Sequence, residues 1–145
     1  MDDARTFDHQ GLEVLTVEEC WELVRRAPVG RVGFVEHGQP TILPVNHGLL
    51  GHRVVIRTAR GALLHEALMN RPIAFEVDGF DAETRTGWSV LVQGLAEPLR
   101  TDVEPAEMGL DAWADAISRD DLVVLLPEEI SGRRIVREEG ATGPR

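Results

Sequence analysis

Hydrophobic and polar positions alternate with a period of two along most of this chain. Val29–Glu36 (VGRVGFVE) reads as a strand, with its turn at His37–Pro40. Thr41–His47 is extended and β-rich, Gly48–His52 carries a tight turn, and Arg53–Thr58 (RVVIRT) returns as a strand rich in β-branched residues. Ile73–Asp78 alternates Ile, Phe and Val with Ala, Glu and Asp. It should be half buried and leads through a polar loop, 79–85, into a long strand over Thr86–Leu99. Gly94 inside that strand marks a bulge or a close backbone approach. Leu122–Leu126 reads as a strand that Pro127 stops, and Ile130–Val136 as a turn and a last short strand.

Helical spacing is confined to short pieces. Thr16 and Glu19 form a capping box that opens a helix, Cys20, Leu23, Val24 and Ala27 make its apolar stripe, and Pro28 ends it. Ala62–Met69 is a second helix, opened by the turn Ala59-Arg60-Gly61 and broken at Asn70-Arg71-Pro72. Pro105–Ile117 has helical spacing that places Met108, Ala112, Trp113 and Ala116 inward. These elements predict a mainly β fold with short helices. Its six or seven strands are mostly antiparallel and joined by hairpins, as a barrel or strongly curled sheet. One domain is expected over 15–137, with loose segments at 1–14 and 138–145.

Composition narrows the function. Net charge is −10, which disfavours a general nucleic-acid or anionic-membrane surface. No apolar run reaches membrane-spanning length, and the acidic, polar N-terminus does not read as a signal peptide, so a cytoplasmic protein is expected. The single cysteine, Cys20, rules out an internal disulfide and lies on a helix stripe, where burial is expected. The basic residues are all arginine.

The candidate chemistry lies at the end of the strand Arg53–Thr58. Arg57, Thr58 and Arg60 stand before a glycine, Gly61, that turns into a helix, a pattern suited either to binding a phosphate or to a solvated strand end. Trp88 reads equally as a pocket wall or a packing residue, and Ser89 as a hydrogen-bonding residue or an outward strand serine. His47 reads as a ring donor or proton relay, or as a polar surface residue. Glu76 and Asp78 share a strand face, as a carboxylate pair or as partners of arginines across the sheet. The histidines lack the spacing of a helical zinc motif.

The order of these segments resembles the FMN-binding split-barrel family, the pyridoxamine 5′-phosphate oxidase-like proteins, and within it a small actinobacterial flavin/deazaflavin branch. The resemblance is carried by Val29-Gly30-Arg31-Val32-Gly33-Phe34, Leu43-Pro44-Val45-Asn46, Ile56-Arg57-Thr58-Ala59-Arg60-Gly61, Phe75-Glu76-Val77-Asp78, Gly87–Gly94 and Ser131–Ile135. It implies a split β-barrel that works as a homodimer with its cofactor at the interface. By resemblance, Pro44, Val45 and Asn46 line a flavin ring. Arg57, Thr58, Arg60, Gly61 and Leu64 hold the phosphate, and Trp88 and Ser89 complete the pocket. The implied cofactor is FMN, with a deazaflavin or haem as alternatives. The implied activity is hydride transfer to a small organic acceptor, without a protein nucleophile. The alternatives are a deazaflavin-dependent reductase and a non-enzymatic cofactor-binding or degenerate member. Relatives commonly carry a polar residue and a lysine after the glycine, where this chain has Ala62 and Leu63.

Overall fold

The computed structural model describes residues 5–58, 62–110 and 121–136. Among the described residues, eight strands form one sheet in which every pairing is antiparallel. They are β1 (Thr6–Phe7), β2 (Glu13–Val14), β3 (Gly30–Glu36), β4 (Gln39–Leu49), β5 (Val54–Arg57), β6 (Pro72–Asp81), β7 (Thr86–Pro98) and β8 (Leu122–Ile135). The spatial order is β1-β2-β8-β5-β4-β3-β6-β7, and β7 returns to pair with β8. That last pairing closes β3 to β8 into a barrel, which leaves the ladder continuous around the circle.

The strand count corrects the six or seven that periodicity predicts. The two further strands, β1 and β2, lie in the stretch read as a loose arm. Each is two residues long, too short to show a period. Their pairing depends on distant partners: Glu13 and Val14 stand across from Arg134 and Arg133 of β8.

Pro127 does not stop its strand either. β8 runs through it as one strand. Residues 122–125 pair with β5 and 133–134 with β2, so at Pro127 only β7 runs alongside, and the missing N–H breaks no second ladder. The register shifts between Gln93 and Gly94 opposite this point. A Cβ on Gly94 would stand 2.0 Å from the Leu126 carbonyl oxygen, so the bulge needs a residue without one.

Strand alternation separates two apolar layers. Val32, Phe34, Val45, Ile56, Phe75, Val77, Val90, Val92, Val123 and Leu125 fill the barrel. Helix α1 (Val17–Arg26) adds Cys20, Trp21 and Val24, and helix α2 (Ala62–Leu68) adds Ala67 and Leu68. Thr16 caps α1, and both arms of the predicted capping box are made. The second layer lies outside the barrel, where Val55, Leu122 and Val124 meet Met108 and Leu110. A 3-10 turn at Pro105–Met108 lies along β4 there, and a Cβ on Gly48 would stand 2.2 Å from the Met108 carbonyl oxygen. The helix predicted over Pro105–Ile117 begins with this turn; its remainder from 111, including Trp113, lies outside the described residues, as does the predicted tail. No described helix is long and apolar enough to cross a membrane.

Candidate flavin site on the outer face of the barrel

The outer sheet face is built in rows. Ile42 of β4, Gly33 of β3, Ala74 of β6 and Gln93 of β7 are register partners. The next row is Pro44, Arg31, Glu76 and Leu91. Beyond it Asn46 of β4 pairs with Arg57 of β5, and Asp78 of β6 with Ser89 of β7. An open groove of about 690 Å³ runs beside the first row, lined by Gly33, Val35, Ile42, Ala74 and Gln93.

Alternation along each strand divides the residues that the sequence singles out. Pro44, Asn46, Arg57 and Ser89 belong to this outer face. Val45, Thr58 and Trp88 are turned the other way, and Val45 packs into the barrel core. Trp88 packs against the core's edge, its indole over Gly79, where a Cβ would stand 2.8 Å from Nε1. Trp88 and Ser89 are neighbours on one strand, so one protomer does not present both to one groove. Ser89 and Arg57 share a face but are not neighbours: across β8, the strand that lies between theirs, their partners are Arg133 and Leu122, eleven residues apart. Leu64 is half buried against the core, and Arg60 and Gly61 lie outside the described residues.

Thr58 is spent inside the fold. It is 2% exposed, and both its N–H and its hydroxyl donate to the Asp121 carbonyl, at 2.8 and 2.7 Å. His65 Nδ1 lies 3.4 Å from the same hydroxyl oxygen. These bonds tie the end of β5 to the start of β8.

Arg57 is different. Its Nε is buried and has no hydrogen-bond partner. A buried donor of this kind costs about 1–3 kcal/mol while it stays unpaired, so its place between Asn46 and Leu122 suits an incoming acceptor.

His47 lies inside the barrel and is neither a surface residue nor part of the outer face. Its Nε2 is 2.9 Å from the Val24 carbonyl oxygen, which can only accept, so Nε2 carries the proton. Burial pushes its pKa down, and the hydrogen bond to Val24 opposes this only in part, which keeps the ring neutral against Phe75. Cys20 is 1% exposed, and burial pushes its thiol up, away from reactivity.

Sequence reasoning left Arg31 without a role. Its Nη1 donates to Asp78 Oδ2 at 2.8 Å and to Glu76 Oε1 at 3.4 Å, which makes it the cross-sheet arginine expected for that carboxylate pair. The strand pattern carried no signal for this choice, because the partners meet only through the β3–β6 register.

The fold is thus that of an antiparallel barrel protein whose outer face carries an open groove at Ile42 and, across from Asn46 four residues further along β4, an arginine with an unpartnered nitrogen. The chain belongs to the pyridoxamine 5′-phosphate oxidase family, whose model matches residues 16–134. It is 34% identical to an uncharacterized protein of Mycobacterium tuberculosis over 128 residues, covering 83% of this chain and 84% of the relative. Among solved structures it is similar to an FAD-binding protein from Mycobacterium smegmatis. That match has 31% identity and a TM-score of 0.67, and covers 86% of this chain and 99% of the other. An FAD- and haem-binding protein from the same organism shares the fold at 19% identity and a TM-score of 0.65, covering 90% of this chain and 75% of the other.

Proposed function

We propose that this chain is a cytoplasmic, homodimeric flavoprotein that binds a flavin by its phosphate at Arg57. The buried, unpartnered Arg57 Nε carries this reading. A phosphate oxygen supplies the acceptor it lacks, and a guanidinium suits phosphate geometry. Asn46 stands beside Arg57, and Pro44, exposed two residues earlier on the same strand, lies between it and the groove at Ile42, so this run lines the ring. FMN is the simplest occupant. The likeness to the FAD-binding protein of M. smegmatis makes FAD an equal candidate, and a deazaflavin fits the same chemistry.

The homodimer rests on the outer face. Ile42 is 69% exposed and Val35 56%, apolar side chains that project from the same uncovered sheet face. A second copy buries them and brings further groups to a groove that one chain leaves open. A bound flavin supplies hydride acceptance and donation; the chain's own residues hold and orient it and keep water from it. The reaction proposed is hydride transfer to a small organic acceptor.

A second reading is a binding protein without turnover. Ala62 and Leu63 favour it, because they leave this segment without the hydroxyl and the cation that relatives commonly carry there. One experiment addresses both. The protein is incubated with FMN, FAD, deazaflavin or haem, desalted and examined by absorption, then assayed for oxidation of reduced nicotinamide. Retained flavin with turnover is the expected result. Retained flavin without turnover moves the function to the second reading, and a colourless protein after every incubation overturns the phosphate assignment.

A further inference from the structure

The outer face carries a charged cluster drawn from two strands. Glu76 and Asp78 are two positions apart on β6 and so project from the same face. Arg31 stands across from Glu76 on β3 and pairs with both carboxylates, 3.4 Å from Glu76 Oε1 and 2.8 Å from Asp78 Oδ2. Two carboxylates share one guanidinium, so the fully ionised cluster has a net negative charge. Among the described register partners, nothing else charged faces it. Pro44 stands beside Arg31 on β4, and Leu91 and Ser89 stand beside Glu76 and Asp78 on β7. Arg133 of β8 lies beyond Ser89, and its Nε donates to Asp8 at 3.0 Å.

The cluster lies one row from Ile42, Gly33 and Ala74, on the same outer face as the exposed Ile42 and Val35 on which the homodimer reading rests. A copy seated there also takes water away from the cluster. Isologous docking brings the same patch of both chains to the contact, so two like-charged clusters enter one interface. Removing water from an uncompensated charge is costly, and a proton on one carboxyl removes that charge.

We propose that Arg31, Glu76 and Asp78 form a proton-uptake site at the homodimer interface, so that the two chains hold together more tightly when the carboxyl pair carries a proton. This rests on the homodimer reading above. Glu76 is the carboxyl that takes the proton. Burial first, then the hydrogen bond and charge of Asp78, push it up to about 7 against the pull of Arg31. Docking raises it further. The affinity between copies is therefore level at low pH and falls as pH rises through the titration of the free chain.

The test is the dimer dissociation constant of the full chain, measured by sedimentation velocity from about pH 6 to about pH 8.5. The expected result is a constant at least about tenfold weaker at the upper end, the effect of about 0.2 proton taken up per chain on average across the interval. Glu76→Gln and Asp78→Asn each leave a neutral cluster with Arg31, and both should give level profiles close to the wild-type value at low pH. Two variants guard against one of them misfolding, and a thermal melt of each checks this. A level wild-type profile overturns the inference and leaves the homodimer standing, as does an unchanged slope in both variants. A monomer at every pH overturns the homodimer reading itself.

Discussion

Arg57 and Asn46 stand opposite each other on β5 and β4, and the arginine's Nε is buried there without a partner. Replacement by methionine keeps the apolar stem and removes the unpaired donor. Arg57→Met should leave the flavin-free protein as stable as before, or up to about 1 kcal/mol more stable. It should weaken flavin binding at least about tenfold, because a hydrogen bond to a charged group is lost. Urea unfolding and a fluorescence titration with FMN and FAD measure the two effects. An arginine that serves only packing would lower stability and leave the titration unchanged.

Thr58 gives the opposite expectation. Its hydroxyl is committed to the Asp121 carbonyl, which also accepts the Thr58 N–H. Thr58→Val therefore leaves that carbonyl satisfied and should cost about 0.5–1.5 kcal/mol in urea unfolding. Flavin affinity should stay within about twofold of the wild type, since about 0.4 kcal/mol is the most such an indirect change should carry over. A large loss of affinity at unchanged stability would mean that the hydroxyl turns to the ligand.

Gly94 cannot take a side chain. Its Cβ would meet the Leu126 carbonyl oxygen and, at 3.0 Å, the Cα of Pro127, both backbone atoms that move only with the strand. Gly94→Ala should destabilise by about 3 kcal/mol or more, at the upper end for overpacking, and broaden β7–β8 amide signals in NMR spectra.

The N-terminal hairpin should loosen in acid. Asp8 is held below the usual carboxylate range first by the Leu12 N–H, with Gln10 and Arg133 adding to it. Glu19 is held low first by the Thr16 N–H, then by Arg5, which also pairs with Glu13 of β2. Depressed carboxylates stabilise the fold above their ordinary values and lose this as pH falls through the folded ones. Amide exchange at Thr6–Val14, corrected for intrinsic rates, should rise below about pH 4 before the barrel strands respond. Thr16→Ala should shift the onset upward and cost about 1 kcal/mol at neutral pH through the lost cap.

The local features were legible in the residues themselves. Thr16 and Glu19 specify a cap because both bonds span three residues. The alternation of Ile73, Phe75 and Val77 specifies an inner face because a strand has a period of two. Gly94 was legible as a break in a pattern, although the atom it makes room for was not.

The site was legible only in part. The sequence singles out Arg57 and Thr58 together, yet adjacent strand residues face opposite ways, and the barrel decides which side is inside. That decision sends Thr58 to Asp121 and leaves Arg57 on the outer face. The same alternation separates Trp88 from Ser89.

By itself, the sequence determined where helices cap, where strands alternate and turn, and which family the segments resemble, since each rests on neighbours within a few residues. The tertiary structure alone decided that β7 closes onto β8, that β8 runs through Pro127, that residues 6–14 supply two strands, and that Arg31 serves Glu76 and Asp78. Those outcomes depend on strand register between segments far apart in the chain, and register is set when the buried faces meet around one core.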